Sequence, residues 1–330
     1  MLTAGAIDGN SENIAEEKGI DTIIESAKDG DGERLKNGKI TPTAKEFNIA
    51  IAGDWGCEPD TKGTVKNIQD KNPELVIAAG DLSYEKSTAI CWIQEIIKPV
   101  ITKTKIAFGD HDYIGKGEDS KPKQDYLAHF NLSQTYYSFN RENAHFLIMD
   151  PNTEHGINSN QFKFVQDDLH SASLNQSINW IFVVEHVPIY TSQSEHAADS
   201  TIRDIYHPLF DKYGIDLVIS GDNHNYQRTF PLKYNEHKPS DPLITNTNKT
   251  HYDDLNGQIY LIAGVGGRSL YHIIQQAPFV ATQNDKYFGY LDIDIKGNNL
   301  EGSFYSNQVS VNEERNNYTI IDKFFISKGN

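Results

Sequence analysis

From Phe47 onward, short apolar runs alternate with stretches in which apolar residues recur at helical spacing. The apolar runs predict buried strands at Phe47–Ala52, Leu75–Ala79, Lys105–Phe108, Trp180–Glu185 and Leu217–Ser220. The intervening stretches predict helices at Thr61–Lys71, Gln161–His170 and Arg203–Tyr213. Strands that alternate with helices are typical of βαβ units, whose sheet is covered on both faces. The pattern therefore predicts an α/β fold for this part of the chain.

The rest of the chain has a different pattern. Tyr136–Phe139 and His145–Met149 predict a hairpin, and further strands are predicted at Gln258–Ala263, Tyr287–Ile295, Leu300–Ser306 and Thr319–Ile326. The polar stretch Pro239–Asp254 is predicted to be a surface loop. Residues 1–46 are polar, with isoleucines that predict one short amphipathic helix, and we assign them to an N-terminal extension without chemistry. Residues 47–330 are predicted to form one domain.

The composition narrows the range of functions and partners that the chain could have. The chain carries a formal net charge of −16, and we expect no nucleic-acid partner because that binding needs clustered positive charge. The same charge repels anionic substrates at long range, so phosphate chemistry would depend on a strong local positive charge such as bound metal ions. No apolar run is long enough to span a bilayer, and we expect no membrane insertion. The pattern leaves the oligomeric state open.

The first residues and the two cysteines bear on the cellular compartment. Residues 1–8 lack the basic and long apolar segments of a signal peptide. We therefore expect either an intracellular chain or one from which a signal has been removed. Cys57 and Cys91 are each predicted just beyond the end of a strand, where they could form a disulfide or remain buried thiols.

Each buried apolar run ends in a polar cluster. The residues that follow the runs are Asp54, Asp81, Asp110, His186, and Asp222 with His224. Ligands of open α/β sheets bind just outside the carboxyl ends of the strands. A single Gly-Asp after a strand is ordinary turn chemistry, so it is the recurrence that indicates a site. Carboxylate oxygens suit hard cations, and imidazole suits iron, manganese and zinc. The sequence therefore predicts a metal centre.

The motifs at these strand ends resemble the five-block signature of the calcineurin-like metallophosphoesterases. They read Gly53-Asp-Trp-Gly56, Gly80-Asp-Leu-Ser-Tyr84, Gly109-Asp-His-Asp112, Val184-Glu-His-Val-Pro188 and Gly221-Asp-Asn-His-Asn-Tyr-Gln-Arg228. The first block, the tyrosine three residues after Asp81 and the trailing Tyr-x-Arg resemble the purple acid phosphatase branch. The resemblance implies an α/β fold built as a four-layer α/β/β/α sandwich, with two mixed β-sheets flanked by helices. Gly264-Val-Gly-Gly-Arg268 is interpreted as a tight loop near the site.

The resemblance also implies two metal ions that share one carboxylate. Metal one would be held by Asp54, Asp81, Tyr84 and His224, and metal two by Asp81, Asp110, His186 and Asp222. Asp81 would bridge the two ions, and a phenolate ligand such as Tyr84 favours Fe(III) at site one. Site two would take a divalent ion, which could be iron, manganese or zinc. Two metals about 3.5–4 Å apart lower the pKa of bound water and neutralise charge on a phosphoryl group.

The implied reaction is hydrolysis of a small phosphorylated substrate, a phosphomonoester, as in acid phosphatases. A metal-bound hydroxide would attack phosphorus in line, and His111 would bind a phosphate oxygen or protonate the leaving group. His196, ten residues after His186, matches a histidine at the substrate mouth of the purple acid phosphatases. The resemblance favours a secreted or extracytoplasmic location.

Two positions depart from the family pattern, and both serve metal two. Asp110 stands where the family has Asn, and Asp222 stands where it has His. With these changes the ligand set holds four carboxylates and one tyrosinate, enough negative charge to cancel a ferric–divalent pair. We therefore expect firmer binding of metal two, a preference shifted from zinc toward Mn, Mg or Fe, and weaker binding of phosphate dianions.

Two alternatives remain open. The chain could be a phosphodiesterase or nucleotide hydrolase of the same superfamily, which a comparison of an aryl phosphomonoester with the matching diester would distinguish. It could also be a catalytically impaired metal- or phosphate-binding protein, because Asp110 and Asp222 alter site two. A structural role without metal is disfavoured, because converging carboxylates without cations repel one another.

Overall fold

The computed structural model describes residues 46–84, 89–113, 122–308 and 318–329. These residues all fall in one structural unit. The predicted N-terminal extension, with its short helix, lies outside the described residues except for Glu46, which begins the first strand. The boundary between extension and domain therefore stays a prediction. Among the described residues, none of the helices combines the length and the apolar character that a membrane span needs.

The elements follow in chain order. The described strands are β1 (Glu46–Ala52), β2 (Leu75–Ala79), β3 (Thr104–Ala107), β4 (Tyr137–Arg141), β5 (Ala144–Ile148), β6 (Trp180–Val184), β7 (Leu217–Ser220), β8 (Tyr226–Thr229), β9 (Leu232–Lys233), β10 (Leu243–Ile244), β11 (His251–Asp253), β12 (Ile259–Ala263), β13 (Val280–Asn284), β14 (Gly289–Lys296), β15 (Asn299–Ser306) and β16 (Thr319–Ser327). The α-helices are α1 (Pro59–Lys71), α2 (Ala89–Cys91), α3 (Pro122–His129), α4 (Asn160–Leu174) and α5 (Ser200–Tyr213), and a π-helical turn at Trp92–Ile96 continues α2. Within the described ranges every predicted strand and helix is present, with ends that differ by at most four residues.

Two large mixed sheets form the centre of the fold. The first has the strand order β11-β16-β15-β14-β1-β2-β3, and the second has the order β13-β8-β12-β7-β6-β5-β4. Strands β1, β2 and β3 pair in parallel, as do β5, β6, β7 and β12. The predicted hairpin is the antiparallel pair of β4 and β5. The carboxyl ends of both parallel blocks carry the predicted ligands.

The layers follow from the two-residue period of the strands. On β1, Ile49 and Ile51 belong to the core between the two sheets, whereas Ala50 and Ala52 belong to the core that packs under α1. On β6, Val183 belongs to the core shared with α4 and α5. Because successive side chains point to opposite faces, each sheet is apolar on both faces and needs a layer on each side. The result is the predicted order of helix, sheet, sheet, helix.

The stretch 239–254 was predicted to be a surface loop, and the structure corrects this in part. Strand β10 pairs with β9, and β11 pairs in parallel with β16 at the edge of the first sheet. The segment is rich in Asn and Thr and shows no apolar alternation. Its pairing partner β16 lies far along the chain, so no local pattern could indicate the edge strand.

The two cysteines form a disulfide, which decides between the two alternatives left open by the sequence. Cys57 and Cys91 have Cα atoms 6.5 Å apart and are separated by 34 residues. The bond ties the loop after β1 to α2. Closing a loop of this size in the unfolded chain stabilises the folded state by about 3–4 kcal/mol.

Candidate metal centre

The Gly-Asp pairs after β1, β2 and β7 turn sharply at the aspartate. Asp54, Asp81 and Asp222 have φ of 59°, 51° and 63°. This left-handed region is strained for most L-residues, although Asp and Asn tolerate it better than others. Backbone outliers of this kind cluster at functional sites, where the surrounding structure must hold them. Here the turns bring carboxylates from both sheets to one edge, where the Asp222 N–H donates to Asp54 Oδ2 at 3.0 Å.

The glycines before the ligands leave room for a neighbouring ligand. A Cβ at Gly109 would lie 2.0 Å from Asp81 Oδ1, and a Cβ at Gly221 would lie 2.5 Å from Asp54 Oδ2. Any other residue at these positions would displace a carboxylate from another strand end. The repeated Gly-Asp pattern of the sequence therefore has a physical cause in the close approach of strand ends, both within the first sheet and between the two sheets.

One group of candidate metal-ligating side chains contains Asp54, Tyr84 and His224. The Tyr84 hydroxyl lies 3.1 Å from Asp54 Oδ1 and 3.1 Å from His224 Nε2, and those two atoms are themselves 3.1 Å apart. The Nδ1–H of His224 donates to the Ser269 carbonyl at 2.6 Å. That bond sets the tautomer and leaves the Nε2 lone pair facing the other donors.

A second group is centred on His186. Its Nδ1–H donates to the Ala79 carbonyl at 3.0 Å, so its Nε2 lone pair faces Asp81 Oδ1 at 3.3 Å and Asp110 Oδ1 at 3.8 Å. Nε2 is buried and has no hydrogen-bond partner among the described residues. A lone pair that faces carboxylates is repelled unless a proton or a cation lies between them. This donor set therefore fits a metal ion.

The structure brings all seven predicted ligands together. Three overlapping clusters have donor atoms within 4.8 Å of one another: Asp54 with Asp81 and His186, Asp81 with Asp110 and His111, and Asp110 with His186 and Asp222. Asp81 belongs to two clusters, as a bridging carboxylate must. Tyr84 and His224 are connected to these clusters through their contacts with Asp54 Oδ1. The assignment of each residue to metal one or metal two stays a prediction.

The two predicted catalytic histidines lie beside different carboxylates. His111 Nε2 is 4.0 Å from Oδ2 of both Asp81 and Asp110, and its side chain is 34% exposed. His196 Nδ1 is 4.0 Å from Asp222 Oδ1, and its side chain is 45% exposed. Both imidazoles are therefore open to solvent at the rim of the carboxylate group, and their catalytic roles stay predictions.

Burial and neighbouring carboxylates shift the pKa of Tyr84, His186 and Asp222. Burial raises the pKa of Tyr84 well above its usual range, and nearby carboxylates raise it further. Burial alone would lower the pKa of His186, but Asp81 and other carboxylates outweigh it and raise that pKa well above its usual range. Burial raises the pKa of Asp222 to about 6, although His186 and His196 oppose the shift. Retained protons offset the carboxylate charge here, and bound cations would take their place.

Asp112 is a supporting residue that the sequence did not distinguish from the ligands around it. It is fully buried, and its two carboxylate oxygens accept hydrogen bonds from the N–H groups of Leu82 and Gly109, each at 2.9 Å. These bonds join the loop after β2 to the turn after β3. Asp112 thereby fixes Asp81 relative to Asp110. Its position within the third motif was the only available signal.

Asn223, between two predicted ligands, is a second support that the sequence did not reveal. Its buried side chain accepts from the His196 N–H at 3.1 Å and donates to the His196 carbonyl at 2.9 Å. It also donates to Thr191 Oγ1 at 3.1 Å. The amide therefore ties the loop that carries His196 to the segment from Asp222 to His224.

The glycine-rich loop after β12 lies at the site, as the sequence predicted. The Arg268 N–H donates to the Asp54 carbonyl at 2.9 Å, and its guanidinium lies 4.4 Å from the centre of the Tyr84 ring. Tyr271 stacks on His224 with ring centroids 3.9 Å apart. The loop therefore covers the first donor group with one cation and one aromatic ring.

The chain is similar in sequence and in fold to known proteins. The family model for calcineurin-like phosphoesterase matches residues 47–226. Fe(3+)-Zn(2+) purple acid phosphatase 12 of Arabidopsis thaliana is 26% identical over 278 residues, which cover 76% of this chain and 57% of the relative. Probable inactive purple acid phosphatase 1 of the same plant is 25% identical, with 90% of this chain and 54% of the relative covered. The chain thus spans about half the length of these curated relatives.

Among solved structures, a purple acid phosphatase from yellow lupin (Lupinus luteus) seeds shares the fold. It matches with a TM-score of 0.69 at 20% identity, covering 86% of this chain and 54% of that one. The family model includes every strand end that supplies a predicted ligand. The chain belongs to the calcineurin-like phosphoesterases, and the relatives and the solved structure described here, to which it is similar, are purple acid phosphatases.

Proposed function

We propose that this chain is a metal-dependent hydrolase of phosphomonoesters, of the acid phosphatase type. The proposal rests on the fact that the clusters of candidate metal-ligating residues share members. Asp81, the proposed bridging ligand, belongs to two of the three clusters whose donor atoms lie within 4.8 Å of one another. A two-metal site requires such sharing, because a bridging ligand must reach both ions.

The residues divide between two ions. Metal one would be held by Asp54, Asp81, Tyr84 and His224, and metal two by Asp81, Asp110, His186 and Asp222. When bound, the ions supply positive charge for the phosphoryl group and lower the pKa of a water ligand. Fe(III) at site one is supported by the Tyr84 hydroxyl beside Asp54 and His224. A divalent iron, manganese or zinc ion is proposed at site two.

The chain's own groups act on the leaving oxygen. During hydrolysis the oxygen of water bonds to phosphorus, the bond from phosphorus to the alcohol oxygen breaks, and that oxygen takes up a proton. His111 lies beside the proposed bridging ligand Asp81 and is accessible to solvent, so we assign it the proton donation. His196, which is more exposed and faces Asp222, assists from the other side.

The extra carboxylates of Asp110 and Asp222 favour two other candidate functions. Their added charge opposes a phosphate dianion at site two, which supports a metal-binding protein with impaired turnover. It also supports a phosphodiesterase, because a diester carries one negative charge fewer than a monoester dianion. Asp110 is half exposed, so solvent screens part of its charge, and this leaves the phosphomonoesterase as the first candidate.

Metal content and substrate preference test the proposal. The chain is loaded with iron and with manganese or zinc, then examined by elemental analysis and visible spectroscopy. We expect two ions per chain, a tyrosinate-to-iron band that Tyr84→Phe abolishes, and faster hydrolysis of an aryl phosphomonoester than of the matching diester. Two ions without turnover would favour the impaired protein, and faster diester hydrolysis the phosphodiesterase. No bound ion under any of these conditions would overturn all three.

A double variant tests the effect of the added carboxylates. Asp110→Asn/Asp222→His is expected to raise kcat/KM for the monoester about tenfold, which corresponds to roughly 1.4 kcal/mol less repulsion in the transition state. Asp70→Asn is the matched control, because Asp70 is an exposed residue of α1. An unchanged kcat/KM in the double variant would contradict the charge argument.

We further propose a secreted or extracytoplasmic location and a small phosphorylated substrate. The Cys57–Cys91 disulfide supports the location, because disulfides persist in oxidising compartments. The formal net charge of −16 supports a small molecule rather than a nucleic acid as the substrate.

A further inference from the structure

Arg268 places a positive charge against the proposed ligands of metal one. Its guanidinium carbon lies 4.4 Å from the centre of the Tyr84 ring, and its backbone N–H donates to the Asp54 carbonyl at 2.9 Å. Within the described ranges, the four carboxylates of the proposed centre form their ion pairs with histidines and not with lysine or arginine. Because a guanidinium does not lose its proton in proteins, Arg268 brings a permanent positive charge to this group.

The Arg268 side chain is anchored at its charged end. Its Nη1–H donates to Glu58 Oε1 at 2.5 Å, and Glu58 is the residue immediately before α1. Glu58 follows Cys57, whose disulfide with Cys91 ties this segment to α2. The side chain therefore extends between two fixed points, the Asp54 carbonyl at the backbone and the Glu58 carboxylate at the guanidinium.

The Tyr84 ring is held as firmly as the charge that contacts it. The residue is buried, and its hydroxyl lies 3.1 Å from both Asp54 Oδ1 and His224 Nε2. The His111 ring lies against it, with ring centroids 4.5 Å apart. The ring cannot turn away from Arg268 without losing these contacts, so the contact between the charge and the ring is built into the fold.

A cation in this position acts on the ring electrons. The face of an aromatic ring is negative and attracts a guanidinium, which can stack on the ring while it donates hydrogen bonds from its edge. By Coulomb's law the attraction grows when the tyrosine oxygen carries a negative charge as an iron ligand. Glu58 offsets part of the positive charge, but Arg268 is the member of this ion pair that contacts the Tyr84 ring.

We infer that Arg268 is a positioning residue for metal one, which orients the Tyr84 ring and stabilises the negative charge that Tyr84 carries as an iron ligand. The inference rests on the proposed function, since the iron–tyrosinate pair is part of it. It has a spectroscopic consequence. Light absorption in the tyrosinate-to-iron band moves an electron from the ring to the iron, away from the guanidinium. Arg268 therefore raises the energy of this transition and keeps the band at a shorter wavelength.

Replacing the arginine tests the inference in the iron-loaded chain. Arg268→Gln removes the charge but can still donate to Glu58, and Arg268→Lys keeps the charge. Lys66→Met is the matched control, because it removes one positive charge from an exposed position on α1. In Arg268→Gln we expect the band to move to longer wavelength by on the order of 10 nm. Competition with a chelator should show iron affinity about 10–100-fold weaker. The band of Arg268→Lys should lie between those of the parent and Arg268→Gln, and Lys66→Met should match the parent.

The outcomes separate this inference from the proposed function. An unmoved band in Arg268→Gln, or an equal shift in Arg268→Lys, would overturn the role of the charge. An unmoved band with a raised KM for an aryl phosphomonoester would also overturn it and assign Arg268 to substrate binding. A parent chain that binds iron without the band would overturn both the inference and the iron assignment at site one.

A parent chain with the band but without hydrolysis would contradict the proposed reaction alone, and the variant spectra would still decide the role of Arg268. Thermal unfolding shows whether each variant is folded. If Arg268→Gln is not folded, Arg268→Met takes its place as the uncharged variant, with the same expected shift.

Discussion

Two buried clusters of charged groups differ in how completely their members are paired. Between the sheets, Arg228 on β8 donates through Nε and Nη2 to the two oxygens of Asp322 on β16, at 2.6 and 2.9 Å. Two further N–H groups of Arg228 donate to the Tyr252 hydroxyl and the Lys249 carbonyl. At the metal centre, carboxylates face one another and a buried imidazole nitrogen has no hydrogen-bond partner among the described residues.

The difference shows which cluster serves the fold and which serves a ligand. A buried ion pair with all its hydrogen bonds made holds two sheets in one arrangement. A cluster with left-handed aspartates and surplus negative charge costs stability. A protein retains such a cluster when a bound group compensates the charge, so the contrast points to cations at the strand ends.

The largest expected effect comes from removing the shared ligand. Asp81→Asn should lose at least one of the two ions and lower kcat/KM about a thousandfold, because a metal ion contributes several kcal/mol to stabilising the transition state. Retention of two ions by elemental analysis, with activity near that of the parent, would refute the assignment.

The matching change in the paired cluster should affect stability instead. Asp322→Asn leaves Arg228 buried without its counter-charge, and we expect the free energy of unfolding to fall by about 3–5 kcal/mol. Metal content should be unchanged. Chemical denaturation measures the loss, with the exposed pair Lys66–Asp70 as control, where Asp70→Asn should cost about 0.5 kcal/mol or less. If the two substitutions cost the same, the Arg228–Asp322 pair is not a stabilising element.

Asp112→Asn should have an intermediate effect on the metal centre. The new amide group would face an N–H donor of Gly109 or Leu82, where the carboxylate now accepts two hydrogen bonds. Loss of a residue that supports metal ligands typically weakens metal affinity 10–100-fold. Competition with a chelator measures this affinity. An unchanged affinity would mean that the turn after β3 keeps its shape without the carboxylate.

The smallest effect concerns pH and a second buried histidine. Burial lowers the pKa of His207 to about 4, with Asp211 only partly opposing it, whereas carboxylates raise the pKa of His186. Because the unfolded state takes up a proton near pH 6.5 and the folded state does not, His207 lowers stability as the pH falls from 6.5 toward 4. Between pH 7 and 5.5 this loss is about 1 kcal/mol.

Urea denaturation at the two pH values measures this loss. The neutral variant His207→Gln should show a smaller decrease between pH 7 and 5.5 than the parent. An equal decrease in both proteins would show that His207 is not the group responsible.

Much of the site could be predicted because its signals are local. A buried strand followed by Gly-Asp is visible in a few residues, and the glycine is required by the close approach of another ligand, as Gly109 shows against Asp81. Asp112 and Asn223 could not be identified as supports, because each acts on backbone groups about 30 residues away. Nothing in the local sequence separates a carboxylate that binds a metal from one that accepts two N–H groups.

The sequence by itself determined the strands, the helices and the donor residues at the strand ends, since these depend on side-chain periodicity over a few residues. The tertiary structure decided which donors are shared, that Cys57 bonds to Cys91, that β11 completes the first sheet, and that Arg268 lies over the Tyr84 ring. Those features depend on contacts between segments far apart in the chain, and their geometry exists only once both sheets have packed together.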